Sequence, residues 1–361
     1  MYNQNEKAII WLTLFDKLSL VKQKALLSIF SEPKEIFTSL LTHKTQIQKV
    51  VGEDVYYKML ATDEKLLESY IDNLSSAKIT CVTAISKYYP EKLKYLKDSP
   101  LILFAKGDLS LLSGPAIAIV GTRTPTAYGR ETTSLYAEKL AKNGFTIVSG
   151  LASGVDKFAH EGALKVQGKT IAVLGGGFNN IYPAMNTNLA KTIAEKGLLI
   201  SEYRPNLFAT KYTFPVRNRI ISGLSDAVLI VEAGLKSGAL HTKNFAKEQG
   251  RPVFAPPANI NNTKALGTNN LLKNHEAFFS TSPDDIISHF GIVPTKEEES
   301  PNHIQISLTE KLILDALEDK NQSFDELQEI TKLESKNLNS CLTMLQIRGL
   351  IKKLPGNEFS L

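Results

Sequence analysis

The chain has 361 residues, 43% hydrophobic and 22% charged, with a formal net charge of +5. That length supports two or three domains with real cores, the composition is that of an ordinary soluble globular protein, and no apolar run approaches a membrane span. The charge is uneven: from Thr295 onward there are 8 basic and 12 acidic residues, so an acidic partner is expected to meet the chain before that point.

The first 75 or so residues read as helices. NEKAIIWLTLFDKL, LVKQKALLSIF and DEKLLESYIDNLSSA place apolar residues three and four apart. The opening segment has no basic stretch running into an apolar core and a cleavage site. Cys81 and Cys341 form no metal or redox spacing. A reduced, cytoplasmic setting is the expectation.

From about Ile79 short apolar runs take over, ITCVTA and LILFAKG first, and then strand and helix alternate. AIAIV precedes RETTSLYAEKLAKNG, FTIVSG precedes VDKFAHEGALKVQG, and TIAVLGG precedes TNLAKTIAEKG. LLISEY leads into a basic stretch, AVLIVEA precedes GALHTKNFAKEQG, and PVFAPP closes the series. Continuous apolar strands each followed by an amphipathic helix predict an α/β fold with a parallel sheet covered on both faces. IVPTKEEESPNH has the composition of a linker. The last 60 residues give three short helices and a turn through Pro355-Gly356 between two short strands, the outline of a winged helix. The boundaries expected are a helical domain over 1–75, a sheet domain over 76–294, a linker over 295–301 and the winged helix over 302–361.

In such a sheet, ligands bind where loops leave the carboxyl ends of the strands. Gly121, Thr122 and Arg123 follow AIAIV, where a glycine lets backbone amides approach a phosphate and the side chains add donors. Ser149-Gly150 ends the next strand, Gly175, Gly176 and Gly177 the third, and Glu232 to Gly238, with Lys236, the fifth. Between the fourth and fifth strands, Tyr203 to Ser225 holds Arg204, Lys211, Arg217 and Arg219 and no acid, which suggests an anionic partner.

Other readings of these residues stand beside that one. The glycines could serve packing alone. As a dinucleotide fingerprint they fail, because the third glycine position falls on Asn180, and there is no Walker A pattern. Asp156, His160 and Glu161 lack a further metal ligand in a suitable place. Ser237 and His241 fit a helix cap better than a nucleophile and base. Neither cysteine has a cationic neighbour.

IAIVGTRTPTAYGRE, VSGLASGVDKFAHEGAL, TIAVLGGG, IYP, ISEY, FPVRNRIISGLSDAVLIVEAGLKSGALHT and AKEQGRPVFA together resemble the DNA-processing protein A (DprA, or Smf) family, from about Pro100 to Pro257. The resemblance implies a Rossmann-like domain flanked by an N-terminal helical (SAM-like) domain and a C-terminal winged helix. It implies a single-stranded DNA-binding recombination mediator of natural transformation, which protects incoming strands, loads the RecA recombinase and dimerises through the Rossmann-like domain. No enzymatic activity, cofactor or metal is implied. Gly121, Thr122 and Arg123 match the family's DNA loop. Lys211 and Phe214 match its basic and aromatic segment, and Arg217, Asn218 and Arg219 its helix. Independently of the family, cations beside aromatic faces are what single strands need. Phe214 could instead pack under the next helix, and Arg219 could instead hold the loop through carbonyls.

The chain departs from the family at Pro256-Pro257-Ala258-Asn259 and at Asn274-His275-Glu276, which bears on the partner surface. Leu18-Ser19-Leu20 stands where a DNA-binding helical hairpin would carry glycine. From Asn302 there are 7 basic and 9 acidic residues, with Lys336 and Arg348 on the recognition helix and Lys352 and Lys353 in the wing. That balance favours a protein-contacting or autoregulatory winged helix over a DNA-binding one. Two other functions compete with the mediator. One is a nucleotide N-glycosidase using Glu232, against which EAGLKSGALHT lacks the proline and paired glycines of that phosphate loop. The other is a small-nucleotide sensor coupled to the winged helix.

Overall fold

Two strands open the sheet domain, β1 (Thr80–Thr83) and β2 (Ile102–Gly107). The six apolar runs then fold as β3 (Ala116–Val120), β4 (Thr146–Ser149), β5 (Thr170–Leu174), β6 (Leu198–Ser201), β7 (Ala227–Ile230) and β8 (Val253–Ala255). This computed structural model describes residues 2–293, 307–318, 320–347, 349–354 and 356–361. The expected linker 295–301, Arg348 and Pro355 lie outside the described residues. The chain divides into two compact units, Met1–Thr295 and Lys296–Leu361.

The alternation within β3 shows why these strands are apolar throughout. Ile117 and Ile119 pack with Tyr136, Leu140 and Val155 of the helices Ala127–Lys142 and Val155–Lys165. Ala118 and Val120 point the other way, towards Ile220 and Leu224 of the helix Thr213–Leu224 and Ala246 of the helix Ala239–Glu248. Side chains alternate across a strand, so a sheet covered on both faces needs apolar residues at every position.

A short strand, β9 (Phe278–Phe279), completes a nine-stranded sheet of order β1-β2-β6-β5-β4-β3-β7-β8-β9. β3 to β9 run parallel, but β2 is antiparallel to both β6 and β1. The sheet is therefore mixed and mostly parallel. Its antiparallel edge packs with the N-terminal helices, since Cys81, Ile102 and Phe104 share a core with Trp11, Leu26 and Tyr56. Strand order reverses at β3. The chain leaves through β4, β5 and β6 and returns to β7 on the other side. Loops after β3 and β7 diverge there and open a crevice.

Six N-terminal helices precede the sheet. Glu35–Ser39, Lys44–Val51 and Glu53–Ala61 stand beyond the three that the apolar spacing predicts. Ser19 caps the helix Leu20–Leu27 by accepting from Lys22 N–H. In the second unit, the helices Leu308–Leu317, Phe324–Thr331 and Ser335–Ile347 enclose Ile313, Leu327, Leu338 and Leu342. Three strands, β10 (Gln322–Ser323), β11 (Lys352–Leu354) and β12 (Glu358–Ser360), pair in the order β10-β12-β11. Among the described residues, no helix is long and apolar enough to cross a membrane.

Candidate nucleic-acid interface

The loop after β3 is held from below. Thr122 N–H donates to the Glu232 carbonyl at 2.7 Å, and Val155 N–H to the Thr122 carbonyl at 3.1 Å. Gly121 permits this: a Cβ there would stand 2.6 Å from Val155 Cγ2 and 2.9 Å from the Glu232 carbonyl oxygen. Gly154, at φ 80°, takes a conformation that side chains avoid, and its Cβ would be 2.4 Å from the Thr122 carbonyl oxygen. Arg123 is left exposed at the loop tip.

Glu232, the acid an N-glycosidase would require, is fully buried. Its carboxylate accepts from Thr126 N–H at 2.9 Å, Thr126 Oγ1 at 2.6 Å and Asn262 Nδ2 at 2.8 Å. It anchors the start of the helix Ala127–Lys142 and does not line the crevice.

The crevice is a pocket of about 800 Å³ walled by the segments that follow β3 to β8. At its centre the Arg123 guanidinium carbon lies 5.5 Å from the centroid of the Phe214 ring. The Tyr182 ring lies 5.5 Å from the same centroid, inclined at 48°. Gly175 admits Phe214 to this place, for a Cβ there would be 2.7 Å from Phe214 Cδ1. Phe214 is half-buried over the end of β5, while Tyr182 is exposed. Lys211, with its ammonium 5.1 Å from the Tyr212 ring centroid, Lys236 and Lys264 complete the wall. Among the described residues Arg123, Lys211, Lys236 and Lys264 enter no ion pair, and Lys264 donates to the Thr124 carbonyl. Tyr182 and Lys264 escaped the sequence reading. The IYP run after three glycines was the available signal for Tyr182, and nothing local marked Lys264.

The three arginines of the acid-free basic stretch, unlike Lys211, find partners outside it. Arg217 is buried. Its Nη1 donates to the Gly150 carbonyl at 2.8 Å and also to the Val173 carbonyl, and its Nε to Asn218 Oδ1 at 3.2 Å. Burial lowers the Arg217 pKa to about 10 against the opposing pull of Asp156. Burial likewise pushes the Asp156 carboxyl up, although it accepts from Gly150 and Ala152 N–H. Arg219 is equally buried and bidentate to Glu202 at 2.6 and 2.8 Å, with Asp98 3.0 Å from its Nε. Its partners are carboxylates rather than carbonyls. Arg204 pairs with Asp16 and donates to the Leu14 carbonyl.

Of the residues read as DNA-contacting, the structure brings Gly121, Thr122, Arg123, Lys211, Phe214, Arg217, Asn218 and Lys236 to the pocket. Arg219, Ser149 and Gly150 are not among its walls. Ser149 Oγ donates to the Ile119 carbonyl at 2.7 Å inside the sheet. Gly150 lies beneath the pocket because a Cβ there would be 2.4 Å from Arg217 Nη2 and 2.7 Å from Asp156 Oδ2.

His160 is buried, its Nδ1 2.7 Å from Thr170 Oγ1, whose own proton goes to the Ile147 carbonyl. The imidazole therefore donates, and burial lowers its pKa to about 3. No group of three potential metal ligands occurs among the described residues. Ser237 Oγ accepts from Ala239 N–H at 3.3 Å in the first turn of its helix. Burial raises the Cys81 thiol to about 12, so it is inert.

Exposed cations and aromatic rings thus gather at the switch point of a mostly parallel α/β sheet. Residues 80–291 match the sequence profile of DNA recombination-mediator protein A, and residues 297–357 that of the DprA winged helix domain. The chain belongs to the DNA recombination-mediator protein A (DprA/Smf) family. It is 46% identical over 196 residues to DNA processing protein DprA of Bacillus subtilis, an alignment covering 54% of this chain and 66% of that one. Its fold is similar to the crystal structure of DprA from Streptococcus pneumoniae, with a TM-score of 0.67 and 31% identity over 80% of this chain and 98% of the other. DNA processing protein A from Helicobacter pylori, whose structure concerns its single-stranded DNA binding mode, has a TM-score of 0.54 and 37% identity over 59% of this chain and 95% of that one.

Proposed function

We propose that this protein is a single-stranded DNA-binding recombination mediator, acting by binding rather than turnover. The observation that carries the reading is the Arg123–Phe214–Tyr182 cluster in a pocket also lined by Lys211, Lys236 and Lys264. Phosphates are met by the cations, and unstacked bases by the aromatic faces, each worth roughly 1–3 kcal/mol. A duplex conceals its base faces, so single strands are preferred. Among the described residues, the one acid lining the pocket, Asp156, is matched by Arg217, which leaves the site cationic. The single-strand binding of the Helicobacter pylori relative supports the same reading.

Protection of incoming strands during transformation, loading of RecA and dimerisation through the Rossmann-like domain belong to this proposal and rest on the family. The winged helix, with its acidic balance and its exposed Leu308 and Leu312, is assigned to protein contact or autoregulation.

The test is binding of fluorescent oligo-dT and the matching duplex across a salt series, with Arg123→Ala and Lys211→Ala for comparison. About four neutralised phosphates give a slope of log affinity on log salt near −3. Salt-insensitive or absent binding sinks the reading. RecA nucleation on strands coated with single-strand-binding protein, with and without this protein, tests loading separately.

A further inference from the structure

A second groove, of about 860 Å³, lies beside the helix Thr187–Lys196. Three lysines reach it from three elements: Lys78 after the helix Glu64–Ser76, Lys106 near the end of β2, and Lys191 on the helix itself. Among the described residues, Glu195 is the one acid lining it, and Phe178, Ile181 and Leu199 supply apolar surface. Many lysines of this unit are paired, among them Lys7 with Glu68, Lys92 with Asp226, Lys139 with Asp284 and Lys165 with Glu138. Lys78, Lys106 and Lys191 enter no ion pair among the described residues. Like charges gathered on one groove repel each other, and an external polyanion relieves that repulsion.

The groove and the first pocket are both lined by the loop that follows β5. Consecutive residues serve the two: Ile181 lines the groove, and Tyr182 lines the pocket with its ring against Phe214. The helix Thr187–Lys196 has ten residues and offers about 15 Å of track.

We infer that this groove is a second segment of the strand-binding path, taking the single strand as it passes over Tyr182 out of the Arg123 pocket. The inference rests on the single-strand reading above. Phosphates lie against Lys78, Lys106 and Lys191, and bases against Phe178 and Ile181. The mixed apolar and cationic lining suits exposed base faces, which a duplex does not offer.

The test compares a strand of about six nucleotides with one about three times longer, within the span of site sizes single strands occupy. The proteins are wild type, Arg123→Ala, and a variant combining Lys78→Gln, Lys106→Gln and Lys191→Gln. Loss of up to three phosphate contacts makes the salt slope of the triple variant shallower by about 2 for the long strand, with the short strand unaffected. Arg123→Ala weakens both strands. If the triple variant binds the long strand with the wild-type slope, or loses the short strand equally, the groove proposal is overturned while the DNA reading stands. If the wild type binds neither strand, the DNA reading itself fails.

Should the triple variant melt early, photo-crosslinking of wild type decides. Strands are labelled at one end or the other. Crosslinks to the Phe178 or Lys191 peptides from one end only support the path, and crosslinks confined to the first pocket from both ends overturn it.

Discussion

The pocket wall and the layer just beneath it are both rich in cations, yet they use them in opposite ways. Arg217, which reaches the pocket but is itself buried, ties the ends of β4 and β5 together through two carbonyls, and Arg219, outside the lining, holds Glu202 and Asp98. On the wall, Arg123, Lys211 and Lys236 have no acid of their own and stand in solvent. A buried guanidinium loses its hydration and persists only where carbonyls and carboxylates replace it, whereas an exposed one needs no partner. A basic run in a sequence therefore measures how much positive charge is present, not how much is available to a ligand.

The largest effect expected from breaking this division is in stability. Arg217→Ala leaves the Gly150 and Val173 carbonyls and the Asp156 carboxyl without their partner, and costs about 3–5 kcal/mol in denaturant unfolding. Arg219→Ala falls in the same range, and the fraction that stays folded keeps its DNA affinity. A normal melt combined with lost binding for Arg219→Ala would return that residue to the wall.

Next is acid sensitivity. His160 titrates near 3 in the folded chain because it is buried, against about 6.5 when unfolded. The unfolded state then binds the extra proton between those values. The stabilisation is complete above pH 6.5 and is lost as pH falls, by roughly 1.4 kcal/mol per unit. His160→Asn, which keeps a donor for Thr170, removes that slope. An unchanged pH profile for the variant would contradict a neutral His160.

Arg123→Ala and Phe214→Ala each weaken single-strand binding by about 1–3 kcal/mol, with little change in melting temperature for Arg123→Ala, read by fluorescence anisotropy and thermal melts. A fall in stability as large as that of Arg217→Ala would place Arg123 in the lower layer. The smallest effect is that of Lys236→Ala, whose loss makes the salt slope shallower by about 0.7. A steeper or unaltered slope means that Lys236 does not meet a phosphate.

Much of this arrangement was legible without coordinates. Apolar runs of strand length separated by amphipathic helices determine the layered sheet, because period and length are local properties of a chain. Glycine-bearing strand ends located the rim, and Gly121 and Gly175 turn out to be places where a Cβ would collide with Val155 or Phe214. The motifs also carried the family. The helix Glu35–Ser39, of five residues, and β9, of two, are too brief to show a clear period.

What only the tertiary structure decided is which side chains are free. Asp98 and Glu202 reach Arg219, and Gly150 and Val173 reach Arg217, from distant parts of the chain. Tyr182 and Lys264 join the pocket from loops that precede and follow the basic stretch by many residues. Electrostatic pairing and burial depend on distance in space. The order of residues sets which charges the chain carries, and the packing of loops at the switch point sets which of them remain to hold a strand.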